Sequence, residues 1–280
     1  MMTPTSFIGF RNFLFLKVSL LGLGLSMLAY ALDEPVGGPS GGSWLGYSLG
    51  AVSTLLILWL MWIGMRKRSY QSSSTPLSGW LSAHVYLGCT LLLLVPLHSG
   101  FQLGWNVHTL AYVLMSAVIV SGMIGVYFYA VIPAQMTRNR PGIKLEGLLK
   151  DVADLDAECR LQSEGIPDEF ALIVSASIEE TRIGGGLLQQ LSGDASTCAA
   201  TVASKEMRTR LLRASVDCAT RDQILRLIEL LALKQSKLAR IRRDNRYQVL
   251  LNLWLMFHVP LSFAAVAAVA IHIFVVFYHR

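Results

Sequence analysis

Charge is almost absent from four long stretches of this chain, and that absence limits the fold more than any other feature. Of the 18 acidic residues only Asp33 and Glu34 lie outside residues 136–248, and 18 of the 24 basic residues lie inside that segment. What remains elsewhere is apolar sequence, concentrated at residues 44–65, 81–103, 107–133 and 249–280. Hydrocarbon offers no hydrogen-bond partner to a bare backbone, so apolar runs of about 20 residues read as membrane-spanning helices. With 53% hydrophobic residues and a mean hydropathy of +0.50, the 280-residue chain is expected to be a small, all-α integral membrane protein. Its net charge of +6 then reflects basic residues flanking a membrane, with lipid as the partner and no nucleic acid implied.

Residues 1–32 carry Arg11 and Lys17 and then an apolar run ending in Ala29-Tyr30-Ala31, the small-x-small form of a signal-peptidase site. A cleaved signal peptide and a retained helix both fit. Either places the Gly/Pro/Ser-rich linker 33–43 outside. The span 44–65 ends in Arg66-Lys67-Arg68, which puts the next loop in the cytoplasm. The span 81–103 then runs outward, 107–133 returns, and 249–280 runs outward again. The expected location is a bacterial-type inner membrane, crossed several times.

Between them, residues 136–248 are polar and charged, with Leu145, Leu148, Leu149, Val152 and Leu155 at helical spacing. Ile224, Leu227, Ile228, Leu231, Leu238 and Ile241 repeat the pattern, and Gly184-Gly185-Gly186 interrupts it. This segment is expected to be a helical cytoplasmic insertion whose last helix runs into the final span. Its basic cluster at Arg240, Arg242, Arg243 and Arg246 fits either anionic headgroups or plain positive-inside topology.

Histidine carries the chemistry. His84 and His98 are fourteen residues apart on one span, and His258 and His272 are fourteen apart on another. Fourteen residues are nearly four turns, so each pair shares a helix face, separated by ~21 Å along the axis. Both spans run outward, so His84 pairs in depth with His258 near the cytoplasmic face, and His98 with His272 near the outer face. A lone membrane histidine usually packs or hydrogen-bonds between helices. Four at matched depths suit two bis-histidine haems, because neutral imidazole ligates iron without burying charge. Cys89, Cys159, Cys198 and Cys218 lack metal-ligand spacing, and C-x-x-C-H is absent, so axial histidines alone would hold the haem.

Gly50 and Gly64, again fourteen apart, would give a porphyrin room against the first span, with Gly88 and Gly122 as further candidates. Pro96 and Pro260 each lie two residues from a histidine and free a carbonyl nearby, or are plain kinks. His108 falls at the depth of the outer pair. It would bond a haem propionate or a quinone carbonyl, or be an interfacial histidine with no such role.

The pattern His84-x13-His98 with His258-x13-His272 resembles the membrane di-haem cytochrome b family, in particular the cytochrome b subunit of cytochrome bc complexes. The resemblance covers residues 44–135 and 249–280 and implies a four-helix bundle with two haem b. As in that family, the histidines would lie on the second and fourth helices and the glycine pair on the first. The chain departs from the family in lacking its Pro-Glu-Trp-Tyr quinol-oxidation motif, in its inverted core and in the cytoplasmic insertion. Bifurcated quinol oxidation is therefore not implied. The expected function is electron transfer across the membrane between quinone or quinol and redox partner subunits of a respiratory-type complex. No Asp or Glu lies in any span, so quinone protonation would occur near a surface. The alternative is a non-redox membrane adaptor that docks a partner through its cytoplasmic helices.

Overall fold

The computed structural model describes residues 7–68, 77–139, 142, 144–181, 186–192 and 198–278. Their regular structure is entirely helical: α1 (Leu14–Leu32), α2 (Trp44–Arg68), α3 (Leu77–Ser99), α4 (Val107–Asn139), α5 (Leu145–Gln162), α6 (Asp168–Glu179), α7 (Leu187–Ser192), α8 (Ala199–Leu211) and α9 (Cys218–Tyr278). Five of these, α1 to α4 and α9, are long and apolar enough to cross a membrane. Their outward faces carry exposed leucine, phenylalanine and valine, such as Leu21, Leu55, Val113 and Phe274, the composition a lipid-facing surface requires. The chain is therefore a multi-pass membrane protein in contact with lipid.

It divides into two units, residues 1–131 with 253–280, and residues 132–252. In the membrane unit α3 packs against both α1 and α2. Leu49 and Leu60 of α2, Leu91, Leu94 and Leu97 of α3, and Met115 of α4 form its buried core. The α1 segment is thus a packed member of this unit in the chain as it stands. Tyr86 ties the preceding residues to α3 by donating its hydroxyl to the Ile8 carbonyl at 3.1 Å.

Three spans differ from their sequence-based bounds: α2 runs on to Arg68, α3 covers Leu77–Ser99 and α4 runs on to Asn139, while α9 runs into the final span as expected. The apolar run to residue 103 is not all helix, because α3 ends at Ser99 with Gly100 and Phe101 at φ +62° and +60°. Gly100 is required there twice over: it takes the left-handed conformation, and a Cβ on it would lie 2.2 Å from the Pro39 carbonyl oxygen. At the other end of the chain, the shift from charged to apolar sequence near residue 249 does not break the helix. α9 continues through it for 61 residues.

The second unit buries one face of each helix. Leu148, Val152, Leu155 and Cys159 come from α5, Phe170 and Val174 from α6, Ala203 and Met207 from α8, and Ile224, Leu227, Ile228, Leu231, Leu238 and Ile241 from α9. Leu149, at the edge of that stripe on α5, is exposed. Asp217 opens α9 by accepting from the backbone N–H groups of Ala219 and Thr220 at 3.1 and 3.2 Å. The Thr220 side chain and these N–H groups hold its carboxyl below the usual range. The cap therefore contributes at neutral pH, and the contribution is lost as pH falls through that lowered value.

Burial pushes the Cys159 thiol up to about 11, against a smaller opposing pull from Lys234. The thiolate is the reactive form, so at pH 8 alkylation of the exposed Cys218 is expected to outrun that of Cys159 by at least tenfold. Mass spectrometry of a time course checks this, and equal rates would contradict the packing of α5.

Candidate functional site

α3 presents His84 and His98, and α2 aims both rings. His98 Nδ1 lies 2.7 Å from the Gly46 carbonyl oxygen, and His84 Nδ1 lies 3.2 Å from that of Leu60. Gly46 and Leu60 are themselves fourteen residues apart, so α2, antiparallel to α3, repeats its acceptor in step with the histidines. A carbonyl can only accept. Each of these rings therefore carries its proton on Nδ1 and has Nε2 as the basic nitrogen.

The close approach to Gly46 depends on Gly50, one turn later. A Cβ at Gly50 would sit 2.7 Å from His98 Cε1 and 2.8 Å from Nδ1, so the imidazole fills the space a side chain would need. Gly64 follows Leu60 by the four residues that separate Gly50 from Gly46, but its surroundings lie outside the described residues. Gly122 lies beside the His258 ring, where a Cβ would make ordinary contact at 3.6 Å. At Gly88 the nearest group is Leu60 Cδ1 at 3.8 Å, which leaves room for a methyl. The side chains of Arg66, Lys67 and Arg68, together with His279 and Arg280, also lie outside the described residues.

α4 holds the two histidines of α9. His258 Nδ1 lies 3.2 Å from Ser121 Oγ, and the Trp254 indole N–H donates to the Ser121 carbonyl at 2.8 Å. The indole stacks on the His258 ring, centroids 5.0 Å apart and planes at 24°. It enters a notch at Gly125, where a Cβ would stand 2.1 Å from Trp254 Cζ2. His272 Nδ1 makes a short hydrogen bond with His108 Nδ1, the rings nearly perpendicular at 85°. All four histidines thus engage a partner through Nδ1.

The rings also meet across the helices. His98 and His272 have centroids 6.1 Å apart and planes at 82°. His84 and His258 lie within electrostatic range of one another. Beside His98 and His272 is a cavity of about 860 Å³, lined by Tyr47, Gly50, Thr54, Met115, Ile273 and Phe277 among others, with His108 on its wall. Residues of the 33–43 linker close part of it. A Cβ on Gly41 would lie 3.5 Å from His98 Cε1, and one on Gly46 would lie 2.3 Å from the Ser40 carbonyl oxygen, so the linker lies tight on α2. Pro96 in α3 lacks the N–H that would bond the Leu92 carbonyl, and the Tyr112 hydroxyl of α4 donates to that carbonyl instead at 3.2 Å. Pro96 therefore ties α3 to α4 in the same layer as His98.

Among the described residues, no group of three or more His, Cys, Asp or Glu is placed to hold a metal ion by itself. His98 and His272 approach one another across the helices, and two histidines could hold a metal only with another group filling its remaining positions.

No protein-family model, curated protein or solved structure matches the chain.

The donors around the histidines are the chain's own. Those include three residues without a sequence signal strong enough to single them out: Ser121, Trp254 and Tyr112. Ser121 next to Gly122, and Trp254 one turn before His258, were the available hints.

Proposed function

We propose that this chain is a di-haem b-type membrane cytochrome that passes electrons across the membrane between a quinone pool and redox partner subunits. The observation that carries the reading is the facing pair His98 and His272 beside a large cavity, centroids 6.1 Å apart. His98 and His272 would supply two neutral nitrogen donors to an iron held beside the cavity. The fit extends to the donors themselves, since neutral imidazole with Nδ1 already engaged is the form in which histidine binds a metal.

In this reading His98 and His272 hold the outer haem, and His84 and His258 the inner one. When bound, each haem supplies a site for one electron. The Gly46 and Leu60 carbonyls fix the tautomer and orientation of the α3 ligands. Ser121 and the stacked Trp254 do the same for His258. Met115 and Ile273 give the His98–His272 cavity apolar walls, beside which nearby dipoles would act more strongly on a bound group. Residues 136–248, on the cytoplasmic side, would meet the redox partner.

The test is optical. Protein purified in detergent is expected to show the reduced-minus-oxidised bands of b-type haem. A folded preparation without colour would leave the adaptor function as the surviving account.

A further inference from the structure

Three of the four proposed ligands pass their Nδ1 hydrogen bond to oxygen: His98 and His84 to carbonyls, His258 to a hydroxyl. His272 differs, because its partner is the imidazole of His108. His108 stands in the first turn of α4, with its centroid 4.4 Å from that of His272, and both rings line the same cavity. The tautomers follow from the ligand assignment. If Nε2 of His272 binds a metal, its proton sits on Nδ1 and is donated to His108 Nδ1, so His108 carries its own proton on Nε2. An imidazole nitrogen is a more basic acceptor than a carbonyl or hydroxyl oxygen. It draws the His272 proton further and makes that ring a stronger electron donor to the metal.

We infer that His108 is a positioning residue for His272, fixing its ring and tautomer and stabilising the oxidised outer haem. The inference rests on the di-haem reading and concerns only how this chain holds one ligand. In the His108→Ala variant, purified as the full chain, the inner haem serves as the internal control for folding. The outer haem is expected to remain low-spin but to bind about tenfold more weakly. A tenfold shift of its redox equilibrium toward the reduced form would raise its midpoint potential by about 59 mV, read by potentiometric titration. The g-values of the outer ferric haem in electron paramagnetic resonance should move with it. His108→Gln, which restores an acceptor oxygen, is expected to recover part of both shifts.

An unchanged outer potential and spectrum in His108→Ala would overturn the role. So would loss of the outer haem in His108→Ala with its retention in His272→Ala, which would make His108 the ligand. Wild-type protein free of haem would remove the di-haem reading itself, and this role with it. Two haems with unmoved His108 variants would remove this role alone.

Discussion

Replacing Gly50 with valine is expected to cost the protein its outer haem while sparing the inner one. The effect is steric and local. A Cβ at that position would lie 2.7 Å from His98 Cε1, well inside contact distance, and valine adds two methyl groups to it. The His98 ring, drawn to within 2.7 Å of the Gly46 carbonyl, has to leave that acceptor and change its position relative to His272. Ligand geometry tolerates little displacement, and loss of such an orienting contact typically costs 10–100-fold in metal affinity. Gly88→Ala is the matched control. It adds a methyl to the same helix bundle at ordinary contact distance, 3.8 Å from Leu60 Cδ1, and is expected to change stability by no more than about 0.5 kcal/mol. Haem content and difference spectra of the two variants separate the outcomes. A full haem complement in Gly50→Val would contradict the placement of His98 against α2.

The second large effect lies far from any histidine. Lys234 of α9 is fully buried, paired with Asp156 at 2.7 Å and donating to the Ser177 carbonyl at 3.0 Å. These contacts join α5, α6 and α9. Truncation to alanine would leave a largely buried carboxylate without its cation, an arrangement that costs about 3–5 kcal/mol. Asp156 keeps some solvent, its side chain being 21% exposed, so the lower end of that range applies. About 3 kcal/mol corresponds to roughly a hundredfold loss of amide protection along the helices of this unit, measurable by hydrogen exchange on the full chain. The double variant Lys234→Met with Asp156→Leu removes both charges at similar volume and is expected to restore most of the protection. Unchanged exchange in Lys234→Ala would show that the pair contributes nothing.

These two sites show what a sequence reveals and what it conceals. The repeated fourteen-residue spacing places His84 and His98, and His258 and His272, on shared helix faces, because helical period is a property of sequence alone. The helical pattern of Leu148, Val152 and Leu155, and of Ile224 through Ile241, likewise marks buried faces of the second unit. The acceptors that orient the rings were hidden, since two of them are backbone carbonyls and every residue has one. Gly50 stood out as a gap, and its occupant here is the His98 ring. Lys234 was invisible for the opposite reason. It lies in a segment rich in charge, where a lysine is ordinarily solvated, and only packing shows that this one is enclosed. The end of α3 was misread because apolar composition and helical geometry are separate properties, while the run of the last cytoplasmic helix into the final span was legible. Phe101 and Leu103 are apolar yet follow a turn at Gly100, whereas α9 crosses from charged to apolar sequence without interruption.

The central claim is that the four histidines form two ligand pairs, His98 with His272 and His84 with His258. Haem stoichiometry per chain tests it most directly, measured on the wild type, on His98→Ala, on His258→Ala and on the double variant. The expected values are two, one, one and none, with His98→Ala keeping the spectrum of the inner haem and His258→Ala that of the outer. Two haems retained in both single variants, or none in the wild type, would contradict it.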